Sequence, residues 1–128
     1  MNQETIYQYD VRVYTEDVDY MGIVYHANYL CYFERARTEM LRQDNLVLSD
    51  LAKTDTLFAI TEINIRYLAP ARLDDLLSIT TKLGKSGACS FEFEQEMKNQ
   101  QEKLLCKAQI KVVCVDGNLK PKRFPGKE

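Results

Sequence analysis

The stretch EDVDYMGIVYHANYLCYFERARTEML, residues 16–41, contains the change of pattern that decides the fold of this 128-residue chain. From about Asn28 to Arg42, large apolar residues recur every three or four positions, as they do on the buried face of a helix. These residues are Tyr29, Phe33, Ala36 and Met40. Glu34, Arg35 and Glu39 lie on other faces, so we predict one long amphipathic helix here.

Strand-like alternation of apolar and polar residues surrounds this helix on both sides. Before the helix, the alternating apolar residues are Tyr7, Tyr9, Val11 and Val13. After the helix, alternation recurs in four segments, residues 63–67, 77–83, 89–93 and 104–114. We predict a strand in each segment, a hairpin turn at GKSG, residues 84–87, and a short helical turn capped by Ser49.

The order of one strand, one long helix and four strands predicts an α+β fold in which a five-stranded antiparallel sheet covers the helix. The chain length fits a single domain, residues 1–128. Lys107, Gln109 and Lys111 alternate with the apolar positions of the last strand, so part of the sheet face away from the helix should contact water. The outer strands also leave open edges that self-association could cover.

The composition argues against several classes of protein. With 17 Lys and Arg residues against 19 Asp and Glu, the formal net charge of -2 gives no field that would attract nucleic acid. No segment approaches the roughly 18 apolar residues of a membrane span, and the first residues lack the pattern of a secretory signal. The four cysteines form no C-x-x-C pair, so we predict reduced thiols and a cytoplasmic location, with Cys106 and Cys114 packing as small apolar residues.

The acidic residues before the helix, Glu16, Asp17 and Asp19, have a plain structural explanation. Acidic side chains near a helix N-terminus interact favourably with the helix dipole and with unpaired amide groups. That explanation does not cover Gly22, which suits a tight bend or the close approach of a ligand. Nor does it cover His26, for which a packing role alone is the alternative to a functional one.

Three chemistries could use these side chains. Asp17, Asp19 and His26 could bind a metal ion, although their spacing matches no familiar metal motif. Cys31 and His26 could form a nucleophile and its base, although no third group is evident to orient them. A carboxylate could instead hydrolyse an activated acyl group, by attacking its carbonyl or activating water, while helix N-terminal amides stabilise the oxyanion. On chemical grounds alone, either Asp17 or Asp19 could be that carboxylate.

Two blocks of sequence, VRVYTEDVDYMGIVYHANYLCYFERARTEML and RYLAPARLDDLLSI, resemble a known family. They are similar to the hotdog-fold acyl-CoA thioesterases, in the branch of 4-hydroxybenzoyl-CoA thioesterase and the Tol-Pal-associated acyl-CoA thioesterases. The resemblance implies a five-stranded antiparallel sheet wrapped around the long helix. It also implies a homo-oligomer, commonly a dimer of dimers, with active sites at the subunit interface.

The resemblance further implies roles for individual residues. Asp19 matches the nucleophile or general base of the family, and the backbone N–H of His26 matches the donor that holds the thioester oxygen. The His26 side chain itself belongs to the site in the Tol-Pal-associated members. The residues that match supporting positions are Gly22, Tyr29, Glu34 and Arg37.

The two blocks specify the contacts to the phosphates of coenzyme A less well. Lys82 and Lys85, near the predicted hairpin, are candidates, and solvated turn lysines are an equally good explanation for both. The basic tail, with Lys120, Lys122, Arg123 and Lys127, is another candidate.

We therefore predict an acyl-CoA thioesterase that releases a free acid and coenzyme A and needs no metal or redox cofactor. The closest alternative is an acyl carrier protein thioesterase, whose acidic partner would require a basic docking surface. The alternative from another class is a non-catalytic hotdog module that binds acyl groups or a protein partner.

Overall fold

Residues 5–125 are described by this computed structural model, and they form five strands, two α-helices and one 3-10 turn. The strands are β1 (Tyr7–Arg12), β2 (Leu57–Tyr67), β3 (Leu76–Ser86), β4 (Ser90–Lys98) and β5 (Leu104–Val115). The helices are α1 (His26–Gln43) and α2 (Leu48–Lys53), and the 3-10 turn covers Thr15–Asp17. The predicted long helix and all five predicted strands are confirmed.

The strands form one antiparallel sheet in the order β1-β3-β4-β5-β2. Strand β2 begins at Leu57, earlier than its alternation indicated, because a bulge between Ile60 and Glu62 shifts the phase of the pattern. The predicted β3–β4 hairpin is confirmed, but its tip follows Ser86 rather than starting at Gly84. The strand continues past Leu83 because a second register shift accommodates the extra residues there.

Helix α1 packs its predicted apolar face against the sheet. Tyr29, Phe33, Ala36 and Met40 are all buried, and they meet buried residues from the central strands such as Ile79. The helix ends in a Schellman motif, in which the amides of Asn45 and Leu46 donate to the carbonyls of Arg42 and Leu41. Asn45 has the left-handed φ of 63° that this motif requires. The C-terminal end of the helix is therefore closed by its own backbone.

One polar cluster lies within the helix–sheet interface. Arg37 is buried and its Nη1 donates to Gln95 Oε1 at 3.1 Å. Gln95 Nε2 donates in turn to the Phe33 carbonyl and to Thr81 Oγ1, at 3.0 and 2.9 Å. Burial lowers the pKa of the Arg37 guanidinium. The cluster satisfies polar groups that would otherwise be costly in a core, and it ties α1 to β3 and β4.

The opposite face of the sheet is wet, as predicted, and carries exposed ion pairs. Lys82 lies 3.5 Å from Glu94, and Lys107 lies 3.7 Å from Glu96. Exposed pairs of this kind contribute little to stability because water and salt screen them. No helix among residues 5–125 is both long enough and apolar enough to cross a membrane.

One prediction beside α2 is wrong, and the basic tail makes contacts there. The predicted Ser49 cap is wrong: α2 begins at Leu48, and the Val47 carbonyl accepts the first-turn amides without a side-chain cap. In the tail, Lys122 Nζ donates to the carbonyls of Thr54 and Asp55, each at 3.1 Å. Its ammonium group is therefore engaged after α2, whereas Lys127 lies outside the described residues.

The tail also completes the core. Phe124 is buried, with its ring centroid 4.4 Å from that of Phe91 and 5.5 Å from that of Phe58. Its amide donates to the Ala88 carbonyl at the β3–β4 turn.

Candidate active site

A short hairpin carries Asp19 to the start of helix α1. Val18 pairs with Val24, the Asp19 amide donates to the Ile23 carbonyl at 2.9 Å, and the Gly22 amide donates back to the Asp19 carbonyl at 3.0 Å. This is the three-residue loop that needs a left-handed residue at its last position. Gly22 has a φ of 77°, and a Cβ there would meet no atom within 4 Å. The torsion angle therefore explains the glycine, and the predicted tight bend is confirmed.

The hairpin leaves the Asp19 carboxylate partly available. Its Oδ1 accepts a hydrogen bond from the Met21 amide at 2.8 Å, which is an Asx turn that fixes the side chain. Its Oδ2 has no hydrogen-bond donor within residues 5–125. Asp19 is only partly buried, so this second oxygen can reach a ligand.

Asp17 differs from Asp19 in that its polar atoms serve the backbone around it. Its Oδ2 accepts from the Tyr14 amide at 3.0 Å. Its carbonyl accepts from the Tyr25 amide and from Asn28 Nδ2, both at 3.0 Å. Asp17 thus joins the 3-10 turn to the first turn of α1, whereas the hydrogen bonds of Asp19 stay within its own hairpin.

The side chain of Tyr32 faces Asp17 from within the core. Its hydroxyl is buried and has no hydrogen-bond partner in the described part of the chain. Burial first, and the neighbouring Asp17 carboxylate second, raise the pKa of the Tyr32 phenol. Burial of this kind keeps the phenol neutral, so it adds no second charge beside Asp17.

The first turn of α1 has two free amides. The N–H groups of His26 and Ala27 make no hydrogen bond within the range 5–125, whereas the Asn28 amide donates to the Tyr25 carbonyl at 2.8 Å. Unpaired amides at the start of an 18-residue helix form a site for a negatively charged or polarised oxygen. The hairpin places Asp19 opposite Ile23, three residues before this turn.

Tyr29 supports the site by linking three segments. Its hydroxyl accepts a hydrogen bond from the Ala71 amide at 2.9 Å, and the Ala71 carbonyl accepts from the Val24 amide at 2.9 Å. Tyr29 also packs edge-on against Tyr67, with ring centroids 5.1 Å apart. The hairpin, the helix and the loop APAR, residues 69–72, therefore form one connected unit.

The other residues predicted for the site lie in different surroundings. The His26 imidazole is exposed and contacts the Tyr25 ring, with centroids 4.4 Å apart. Glu34 is exposed two turns further along α1, and Arg37 is inside the core. The structure of one chain does not bring Glu34 or Arg37 to Asp19.

Lys82 and Lys85 are also distant from Asp19 within one chain. The hairpin that carries Asp19 pairs with Arg72, just before β3 begins at Leu76. At the usual rise of a strand, Lys82 and Lys85 lie roughly 20 and 30 Å further along β3. Their contact with coenzyme A stays a prediction.

The two rival chemistries find little geometry to support them. No group of three or more His, Cys, Asp or Glu side chains within residues 5–125 has the arrangement of a metal site. Cys31 is exposed in the second turn of α1, and its thiol makes no hydrogen bond to His26 in this part of the chain. Neither arrangement offers the pairing that its chemistry would need.

Two residues of the site escaped the sequence reasoning. Asn28 fixes the Asp17 carbonyl, and Tyr67, the last residue of β2, donates its hydroxyl to the His26 carbonyl at 2.8 Å. Their only sequence signals were an amide side chain in the first helical turn and a tyrosine at a strand end.

Comparisons with known proteins identify the family of this chain. The model of the thioesterase-like superfamily matches residues 13–127. The chain is 42% identical over 122 residues to the acyl-CoA thioester hydrolase YbgC of Escherichia coli O6:H1, covering 94% of this chain and 91% of that protein. It is 43% identical over 121 residues to the acyl-CoA thioesterase YbgC of Haemophilus influenzae, covering 93% and 88% of the two chains. The crystal structure of a probable thioesterase from Bartonella henselae superposes with a TM-score of 0.90 at 32% identity, covering 94% of this chain and all of that one.

Proposed function

This chain belongs to the thioesterase-like superfamily, and we infer that it is an acyl-CoA thioesterase with Asp19 as its reactive carboxylate. The family resemblance found in the two sequence blocks is confirmed. One observation carries the assignment of the site: a carboxylate with one unpaired oxygen, Asp19 Oδ2, lies on the hairpin that leads directly into the helical turn with the unpaired amides of His26 and Ala27.

The reaction adds water across a thioester. In one route, Asp19 attacks the carbonyl carbon, the coenzyme A thiolate leaves, and water then hydrolyses the acyl–aspartate anhydride. In the other, Asp19 takes a proton from water, the resulting hydroxide attacks the carbonyl, and the thiolate leaves with a proton. Both routes give a free acid and coenzyme A, and neither calls for a metal or redox cofactor.

The helix amides supply the electrostatic part of catalysis. As the carbonyl carbon becomes tetrahedral, its oxygen gains negative charge, and N–H groups already aimed at it need no reorganisation. The His26 amide is the donor we propose, with Ala27 beside it and the His26 imidazole at the exposed rim. Gly22, through the turn, and Tyr29, through Ala71, hold these groups in place. Glu34, which is exposed on α1, stays a supporting residue that the family resemblance implies.

The decisive experiment compares two isosteric substitutions two residues apart. Release of free thiol is measured from short, long and aromatic acyl-CoAs, and from an acylated carrier protein, for wild type, Asp19→Asn and Asp17→Asn. We expect Asp19→Asn to lower kcat by about 1000-fold or more, since it removes the reacting group. Asp17→Asn keeps an acceptor oxygen for the Tyr14 amide, so its kcat should stay within about 10-fold of wild type.

Each outcome of that panel has a distinct meaning. Full activity of Asp19→Asn would refute the role of Asp19, and loss of activity in Asp17→Asn alone would transfer the role to Asp17. Turnover of the carrier-protein thioester alone would favour the acyl carrier protein alternative. No turnover of any substrate by the wild type would favour the non-catalytic binding module.

We also propose that two copies pair through strand β2. The sheet has edges at β1 and β2, and β1 is only six residues long with polar exposed positions. Strand β2 is 11 residues long, and its Ile60 and Ile63 are 49% and 43% exposed. A long apolar edge is an aggregation risk unless it is paired, and two identical antiparallel edges can pair about a two-fold axis. Such pairing would form a continuous sheet and bring a second chain to each site.

Placing a charge on this edge tests the pairing. Ile63→Lys should lower the native mass to that of a monomer and reduce turnover, whereas the matched control Gln8→Lys on β1 should change neither. Native mass is measured by analytical ultracentrifugation, which also shows whether the wild type is the dimer of dimers that the family resemblance implies. An unchanged mass for Ile63→Lys would refute pairing through β2.

The compartment we propose is the cytoplasm. All four cysteines are free, and Cys106 and Cys114 are buried as predicted. Unpaired thiols suit a reducing compartment.

A further inference from the structure

Tyr67 connects the edge of the sheet to the start of helix α1, and we propose that it is a positioning residue for the oxyanion amides. The proposal rests on the thioesterase function inferred for this chain. Tyr67 is the last residue of β2, where it pairs with Cys106 of β5. Its hydroxyl donates to the His26 carbonyl at 2.8 Å, across 41 residues of sequence.

This hydrogen bond fixes the orientation of a whole peptide group. The His26 carbonyl and the Ala27 amide belong to one planar trans peptide, so the two groups point in opposite directions. A donor that holds the carbonyl therefore also aims the Ala27 N–H. The preceding peptide is held similarly, because the Tyr25 carbonyl accepts from the Asn28 amide at 2.8 Å. Each free amide is thus aimed through the carbonyl of its own peptide group.

Tyr67 is itself held in place by Tyr29. The two rings meet edge to face at 83°, with centroids 5.1 Å apart, and the Tyr29 hydroxyl is engaged by the Ala71 amide. Burial, first among the causes, raises the pKa of both phenols. Tyr67 therefore keeps its proton, and with it the hydrogen bond to His26, throughout the neutral range.

The position of Tyr67 also links two parts of the proposed function. Its backbone lies at the end of the apolar β2 edge, and its hydroxyl reaches the helix start. Any pairing that fixes β2 would also fix the donor that orients the Ala27 amide. One hydrogen bond therefore lies between the proposed subunit contact and the proposed oxyanion site.

Tyr67→Phe removes the hydroxyl and keeps the ring, and the chain offers a matched control on the same helix. Tyr7 donates its hydroxyl to Asp44, just beyond the C-terminal end of α1, at 3.1 Å. Each substitution deletes one phenol hydrogen bond at one end of α1, so both should lower the unfolding temperature by similar amounts. We expect kcat of Tyr67→Phe to fall by about 10-fold, the equivalent of one such bond, with KM changed by less than about twofold.

For Tyr7→Phe, the expected kcat stays within about twofold of wild type. All kinetics are measured well below the unfolding temperature of each variant, with folding checked by near-UV circular dichroism and native mass by ultracentrifugation. An unchanged kcat in Tyr67→Phe, an equal loss in both variants, or a loss of native mass in Tyr67→Phe would each overturn the proposal. Failure of the thioesterase assignment would look different, because the wild type itself would then turn over no thioester.

Discussion

The two ends of helix α1 are held by contacts of different kinds. At the C-terminal end, the amides of Asn45 and Leu46 close the Schellman motif and Tyr7 is hydrogen-bonded to Asp44. Every polar group named there has a partner inside the chain. This end of the helix is complete in itself and offers nothing to a ligand.

The N-terminal end is held as firmly but remains chemically incomplete. The Asp17 carbonyl accepts from Asn28 and from the amide before the helix, and the Tyr67 hydroxyl donates to the His26 carbonyl. The His26 and Ala27 amides have no acceptor among the described residues. The contrast shows that a helix start becomes a binding site when hydrogen bonds hold its backbone in place and some of its amide groups have no acceptor. Rigidity without satisfied donors distinguishes this end from an ordinary cap.

The largest expected change to this contrast comes from Gly22, whose left-handed turn carries Asp19 to the helix. Gly22→Ala should lower the free energy of unfolding by about 1–2 kcal/mol, because a Cβ disfavours a φ of 77°. If the turn relaxes, Asp19 moves away from the amides, and we expect kcat to fall by about 10- to 100-fold. Urea denaturation and thiol-release kinetics measure the two effects.

Gly22→Asn is the matched control for that experiment. Asparagine tolerates the left-handed region better than alanine, so it should recover most of the stability and activity. Equal losses in the two variants would mean that the torsion angle is not what the site requires.

A smaller effect on stability distinguishes the Tyr7–Asp44 pair from the neighbouring side chains of Tyr32 and Asp17. Tyr7→Phe should lower the free energy of unfolding by about 1 kcal/mol, since it removes a formed hydrogen bond to Asp44. Tyr32→Phe should change it by less than about 0.5 kcal/mol, or raise it, since the Tyr32 hydroxyl is buried without a partner among residues 5–125. Urea denaturation of both variants at pH 7 gives the comparison, and an equal loss would contradict the difference between the ends.

Burial of the Tyr32 phenol also has an expected effect on stability at alkaline pH. The pKa of Tyr32 is raised above its usual value of 10.0, chiefly by burial, so the unfolded chain loses this proton first. Stability therefore falls as pH rises above about 10, by up to about 1.4 kcal/mol per pH unit for each such group. Tyr32→Phe should show a shallower decline than wild type above that pH, and identical slopes would refute the contribution of the buried Tyr32 phenol.

Sequence patterns were sufficient for the elements because burial alone sets their periods. The helix, the five strands and the turn at Gly22 each depend on neighbours within a few residues. The predicted Ser49 cap is wrong because a backbone carbonyl, not a side chain, accepts the first amides of α2. The start of β2 was predicted too late because a bulge shifts the phase of the alternation. A search for apolar residues at periods of two or four detects neither a backbone cap nor a single bulge.

The site was less predictable because its contacts join distant segments. From the residues alone, Asp17 and Asp19 were equivalent acids, and only the family resemblance preferred Asp19. The structure separates their surroundings, since the backbone carbonyl of Asp17 accepts from Tyr25 and Asn28 at the helix start, while the hydrogen bonds of Asp19 stay within its hairpin. Tyr67 could not be found because its partner lies 41 residues away.

The burial of Phe124 has a consequence for how the chain is made. Its ring completes a cluster with Phe58 and Phe91. Strand β2 pairs with β5, although β3 and β4 lie between them in the sequence. Because β5 and Phe124 follow β2 in the sequence, β2 and Phe58 lack these packing partners until both later segments have been synthesised. Until then, the nascent chain exposes apolar residues that are later buried in the sheet. We therefore expect its dependence on chaperones to be greatest during synthesis.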